Sequence, residues 1–279
     1  MSRLEGDSRF DASAAALLGS AQWPKVFWIN LDRCAERRDA MLAKFSRYGV
    51  ERKERVTAID GRVEAAVRAA TDDEIAASAD TKPFRELACT LSHLSAIKCA
   101  YDQGLDEALI MEDDVNFRFC PYWRCPLPKL LAQRPHNTNI VQLAWITDHN
   151  NWRNNTYGAA RAGAHFVARQ GGVYCAMAYF ITRDAMRALI ERHFVPETGK
   201  WRVVGVAGPA IADSLLYRLP HVYTSTLSLF CSDGLDTTVH GSNNEVAFHR
   251  REDERHLQFL QSLYGPTSSG DDGVSDTSS

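Results

Sequence analysis

An apolar run, KVFWINL at residues 25–31, gives way directly to a stretch with helical spacing, and this pairing recurs along most of the chain. A run without polar alternation reads as a strand covered on both faces. The helix after it spans about Cys34–Tyr48, with Met41, Leu42, Phe45 and Tyr48 on one face, Asp32 as its N-cap and Gly49 as its stop. ERVTAIDG (54–61) reads as a strand and turn, residues 62–80 as a helix, and PFRELACTLSHLSAIKCAYDQG (83–104) as a long helix closed by Gly104. EALIM, TNIVQLAWI and GGVYCAMAYFIT supply further strands. RDAMRALIERHF follows as a helix, and GPAIADSLLYRL with HVYTSTLSLF makes a last helix–strand unit. Alternation of this kind predicts an α/β sandwich around a largely parallel sheet, whose ligands bind beyond the carboxyl ends of the strands.

Within ALIMEDDVNF (108–117), four apolar residues run into Glu112, Asp113 and Asp114 at such a strand end. Adjacent carboxylates repel, so they need open water or a cation. In extended chain Glu112 and Asp114 converge and Asp113 points across. Their hard oxygens suit Mg²⁺ or Mn²⁺, whose shell a nucleotide's phosphates would complete; a solvated acidic turn is the alternative.

Four blocks, INLDRCAERRDAM, ERVTAIDG, ACTLSHLSAI and ALIMEDDV, occur in that order, and GGVYCAMAYFITRDAMRALI follows. Together, over about residues 25–240, they resemble glycosyltransferase family 25. Ala88 departs from the glycine common before the cysteine, and the match weakens after Arg218. The resemblance implies a GT-A-like (Rossmann-type) α/β domain with a mixed, mostly parallel sheet flanked by helices. It also implies a UDP-sugar donor, galactose or glucose, Mn²⁺ (or Mg²⁺), and inverting transfer to a hydroxyl of a glycan or hydroxylated protein. By the same resemblance Asn30, Asp32, Arg33, Arg37, Asp60, Ser92, His93 and Asp113 bind the donor. Glu112 and Asp114 hold the metal with His240 as third ligand, for which Asp233 and Asp236 compete. Asp213, at a late helix start, is the catalytic base. Trp145 and Trp152 flank a loop that would border the acceptor, with Trp145 equally a core residue. Two rival readings stand beside this one: a degenerate transferase fold acting as a binding module, and a metal-dependent nucleotidyl- or phosphotransferase. The second is weakened by the lack of a P-loop motif.

Composition narrows the partners. A net charge of -3 with no long basic run does not point to nucleic acid. Seven scattered cysteines without a C-x-x-C pair read as free thiols in a reducing compartment, with pairing of Cys120 and Cys125 left open. No signal peptide or membrane-spanning run is evident, so a cytoplasmic location is expected, with peripheral membrane association left open. The expected layout is a loose arm over 1–22, one transferase domain over 23–264, and a disordered tail over 265–279.

Overall fold

The computed structural model describes residues 22–72, 82–123, 125–203, 211–233 and 243–264. The expected arm and tail, His240 and Asp236 therefore lie outside the described residues. The strands are β1 Val26–Asn30, β2 Lys53–Thr57, β3 Glu107–Glu112, β4 Val115–Asn116, β5 Ile140–Gln142, β6 Ile146–Thr147, β7 Phe166–Ala168, β8 Val173–Tyr174, β9 Ala178–Thr182, β10 Phe194–Val195, β11 Lys200–Trp201, β12 Val222–Ser225 and β13 Cys231–Ser232. The helices are α1 Ala35–Arg47, α2 Glu64–Ala70, α3 Lys82–Asp102, α4 Leu127–Leu131, α5 Asn150–Arg161, α6 Arg183–His193, α7 Ala212–Leu216 and α8 Asn243–Tyr264.

Seven strands form one sheet in the order β2-β1-β3-β9-β5-β12-β7. β1 is parallel to β2 and β3, β12 is parallel to β5, and β9 runs antiparallel between β3 and β5. Five strands therefore point one way, while β9 and the edge strand β7 oppose them. The result is a mixed, mostly parallel α/β domain consistent with a GT-A-like fold.

The unbroken apolar strands are explained by burial on both faces. Phe27 and Ile29 of β1, Ala108 and Ile110 of β3, and Tyr179 and Ile181 of β9 pack against α3, α6 and α7, through Leu91, Leu94, Met186 and Leu216. Their neighbours Val26, Trp28, Leu109, Met111 and Phe180 face the other way, onto Met41 and Phe45 of α1 and the aromatics Phe117, Trp123 and Phe230. Each large apolar side chain buried in this way contributes ~1.5–3 kcal/mol, so a polar residue inside these runs has no solvated face to occupy.

Helix α1 begins one residue later than the sequence suggests. Cys34 is its N-cap, with no side-chain cap bond. Asp32 instead accepts from Arg55 Nη2 at 2.5 Å, an ion pair across β1 and β2 that replaces the expected cap. Gly49 and Gly104 do stop their helices, at φ of +64° and +74°. Residues 150–161 are helical (α5) and not a loop. Trp145 and Trp152 meet edge-on at 4.8 Å and are both buried, so they are core residues and no acceptor platform.

Helix α8 closes over that aromatic cluster. Tyr157 of α5 stacks on Phe259 with centroids 3.6 Å apart, and Arg153 pairs with buried Glu252 at 2.7 Å. Burial pushes the His256 imidazole down to about 3. It stays neutral between the Tyr157 hydroxyl (2.9 Å) and the Trp145 carbonyl (3.0 Å). All seven cysteines are free thiols, Cys120 and Cys125 included. No helix among the described residues is long and apolar enough to cross a membrane.

The turn after β2 lies directly on α3. A Cβ on Gly61 would fall 2.5 Å from Arg85 Cα, whereas one on Gly158, in α5, would meet nothing within 4 Å. The two alanine substitutions should therefore act in opposite directions. Gly61→Ala should destabilise by ~1–3 kcal/mol, as overpacking does. Gly158→Ala should stabilise by ~0.5–1 kcal/mol, the helical preference for alanine. Urea unfolding of both variants checks the contrast, and equal effects would mean that the turn is not packed on α3.

Candidate active site

Three neighbouring parallel strands end side by side. Ile29 of β1 is level with Thr57's neighbour Val56 of β2 and with Glu112 of β3. The chain leaving each strand end, together with the inner face of α3, lines a half-open cleft. Asn30, Arg33, Arg37, Asp60, Ser92, His93, Glu112 and Asp113 all line it. Asp32 does not, being turned to Arg55.

Strand β3 stops at Glu112, so the period-two alternation expected through the triplet ends there. Asp113 and Asp114 lie in a turn, and both converge on Arg37. Its Nη2 is 3.0 Å from Asp113 Oδ1 and 3.1 Å from Asp114 Oδ2. The second oxygen of Asp113 accepts from Asn30 Nδ2 at 2.6 Å. Asn30 is itself held, because its Oδ1 accepts from Arg55 Nε at 2.9 Å. Glu112 turns the other way, with Oε1 3.2 Å from His93 Nε2.

The charges in this cluster do not balance. One guanidinium and one imidazole face three carboxylates. Burial and then the charges of Glu112, Asp113 and Asp233 drive Asp114 up to about 7, against the pull of Arg37. Burial also raises Asp113 despite Arg37 and Asn30. Burial would raise Glu112 too, but the His93 hydrogen bond and the charges of His93, Arg37 and His249 bring it below the usual range. Asp114 Oδ1 is buried with no hydrogen-bond partner among the described residues. An orphaned carboxylate oxygen beside two further acids is what a hard divalent cation fits, and the residues present are compatible with Mn²⁺ or Mg²⁺.

At the opposite rim Arg33 Nε pairs with Asp60 Oδ2 at 2.5 Å. Burial opposes ionisation of Asp60, yet Arg33 and the Arg62 N–H outweigh it and hold the carboxyl low. The Ser92 hydroxyl donates to the Ala88 carbonyl (2.6 Å) and accepts from Ile59 N (2.9 Å). It thus pins the loop after β2 to α3. Asp233 is engaged as well. Lys44 reaches one of its oxygens, Asn116 Nδ2 donates to the other at 2.8 Å, and its own N–H donates to the Asp114 carbonyl at 2.8 Å.

Asp213 sits in the first turn of α7, after its N-cap Ile211. It lies outside the cleft lining but within the electrostatic reach of Glu112 and His93, and burial raises its carboxyl. Oδ2 accepts from Cys175 N at 2.5 Å. Cys175 has φ of +96°, a strained conformation for a residue with a side chain. Its carbonyl is held by Gln142 Nε2 (2.8 Å) and the Tyr217 hydroxyl (3.0 Å).

Sequence reasoning passed over four participants. Arg55 orders Asn30 and Asp32. Arg85 and Cys89 line the cleft from α3, and Arg85 Nε is buried without a partner among the described residues. His249 of α8 is the late imidazole that acts on Glu112. Arg85, Cys89 and His93 recur at helical spacing, one face of one helix, which is the signal that could have joined them.

The raised Asp114 carboxyl has a consequence for stability. The folded protein keeps a proton there that the unfolded chain has already lost above about pH 4. Stability from this residue is therefore fully present at low pH and is lost as pH rises through about 7. Without divalent ions, Asp114→Asn should raise the melting temperature more at about pH 8 than at about pH 5, since the amide never carries the charge. A shift independent of pH would mean that Asp114 ionises without penalty.

Comparison with known proteins bears on this geometry. Glycosyltransferase 25 family member of Drosophila melanogaster is 34% identical over 116 residues, 39% of this chain and 18% of that protein. Procollagen galactosyltransferase 2 of Homo sapiens is 31% identical over 128 residues, 43% of this chain and 19% of its own length. The matched stretches span less than a fifth of these curated relatives. Residues 23–195, which include the cleft, the acidic triplet and all of α3, match the family described as Glycosyltransferase family 25 (LPS biosynthesis protein). That match covers more than half of the chain, and the chain belongs to glycosyltransferase family 25.

Proposed function

We propose that this protein is a metal-dependent inverting glycosyltransferase. It would move a hexose, galactose or else glucose, from a UDP-sugar to a hydroxyl of a glycan or a hydroxylated protein. The observation that carries this reading is the unbalanced acidic cluster, with the orphaned Asp114 oxygen, at the edge of the cleft formed by the strand ends. Family membership supports the reaction type, and the printed name of the human relative favours galactose.

In this reading Glu112 and Asp114 hold Mn²⁺ or Mg²⁺, with His240 as the third ligand. The bound ion would neutralise charge developing on the diphosphate as the glycosidic bond breaks. Arg37 fixes the orientation of Asp113 and Asp114 before substrate arrives, so the cluster need not reorganise during the reaction. Arg33 and Arg85 offer cleft-facing guanidinium groups to phosphate oxygens or to the uracil edge. Asp60 holds Arg33 in place and, with Asp32 and Asn30, belongs to the donor side; Ser92 and His93 form its floor on α3.

Asp213 is the base. An acceptor oxygen forms the new bond to the anomeric carbon while the bond to the diphosphate oxygen breaks. The electron pair leaves with the diphosphate, and the hydroxyl proton passes to Asp213. Burial raises its carboxyl, which makes it a stronger proton acceptor than an exposed aspartate. The Cys175 N–H occupies one carboxylate oxygen, which leaves the other for the acceptor.

A panel of UDP-hexoses with glycan and hydroxylysine acceptors, run with Mn²⁺ and in chelator, tests the reading. Transfer from UDP-galactose or UDP-glucose should require the metal. Asp213→Asn, which keeps an oxygen for Cys175 N–H, should lower turnover by ~10²-fold or more and leave UDP affinity unchanged. Phosphate or nucleotidyl transfer in place of sugar transfer would overturn the proposal. Near-normal turnover would remove Asp213 from it.

A further inference from the structure

A second set of donor atoms shares the cleft with the carboxylate triplet. Cys89 and His93 lie four residues apart on α3, so both side chains leave the same face, towards Glu112 at the end of β3. The Cys89 sulfur, a ring nitrogen of His93 and a Glu112 oxygen all lie within 4.8 Å of one another. The chemistry differs from that of Asp113 and Asp114. A thiolate, an imidazole and one carboxylate form a borderline-soft set, which suits Zn²⁺ far better than Mg²⁺ or Mn²⁺.

We propose that Cys89, His93 and Glu112 form a Zn²⁺ site with three protein ligands, its fourth position open to the cleft. Three features of the geometry support it. His93 Nε2 and Glu112 Oε1, 3.2 Å apart, already stand at about the spacing of two ligands on one tetrahedral ion. The other ring nitrogen, Nδ1, is 3.2 Å from the Tyr179 hydroxyl, a partner that fixes the ring and leaves Nε2 for the metal. All three residues line the open cleft, so the ion has an entry path and room for a water. On binding, the Cys89 proton passes to solvent and the thiolate takes its place on the metal. Because Glu112 belongs to both sets, zinc here withdraws it from the carboxylate triplet.

Co²⁺, which replaces Zn²⁺ and reports thiolate ligation by a near-ultraviolet charge-transfer band, gives the test. The reduced protein is titrated with Co²⁺ without nucleotide, and Zn²⁺ is then added. The band should appear at one equivalent and be bleached by one equivalent of Zn²⁺. Cys89→Ser should abolish it. Glu112→Gln should keep the thiolate band with at least tenfold weaker affinity, and Cys125→Ser, outside the cluster, should leave the band intact. No band in the wild type, or a band that survives in Cys89→Ser, overturns the site. Circular dichroism of each variant separates a lost ligand from a lost fold. The titration contains no nucleotide, so its failure leaves the donor-site reading standing, and a failed UDP titration leaves this one standing.

Discussion

The contact on which the site depends is a single guanidinium nitrogen. Arg37 Nη2 lies 3.0 and 3.1 Å from two carboxylates that follow each other in sequence. Without it, Asp113 and Asp114 would face one another and Glu112 with no fixed cation nearby. Two unit charges 4 Å apart interact by about 4 kcal/mol at an effective dielectric of about 20, a repulsion that Arg37 and the proton retained on Asp114 both reduce. With it, the cluster is ordered yet still negative. Breaking a buried pair from one side costs about 3–5 kcal/mol, so Arg37 is a structural requirement of the cluster.

Everything else about the site follows from where the strands end. β2, β1 and β3 are adjacent and parallel, so their carboxyl ends reach one edge together. Burial of both faces of β1 and β3 keeps their interiors apolar and leaves polar chemistry to that edge. Asn30 and Glu112 are the last residues of their strands, and they are the first polar groups the chain places there. Helix α3 then supplies a wall, because the face opposite its leucine stripe carries Arg85, Cys89 and His93 into the cleft.

Much of this was legible in the sequence, and the reasons are local. The unbroken runs 26–30 and 107–111 announced strands buried on both sides, and Gly49 and Gly104 marked helix ends that only a positive φ allows. Most of the residues expected on the donor side lie close to strand ends in the sequence, and all of them except Asp32 line the one cleft. The misreadings came from long-range pairings. Asp32 had a good cap position, but Arg55, on the neighbouring strand, outcompeted the helix N-terminus for it. Trp152 lay in a polar-looking segment, and its burial comes from a cluster with Trp145, Tyr157, Ala160, Val173 and, about a hundred residues on, Phe259 of α8. The turn that begins after Glu112 likewise depends on Arg37 drawing both aspartates to one point, which strand alternation could not foresee.

The central claim is that three mutually repelling acids are held ready for a cation that arrives with a diphosphate. Calorimetric titration of UDP into the protein, with Mn²⁺ and again in chelator, tests it most directly. Linkage requires the ion and the nucleotide to tighten each other by the same factor. The account predicts UDP binding at least several-fold tighter with Mn²⁺, and an equal gain in Mn²⁺ affinity when UDP is present. UDP affinity that is the same in chelator would contradict it.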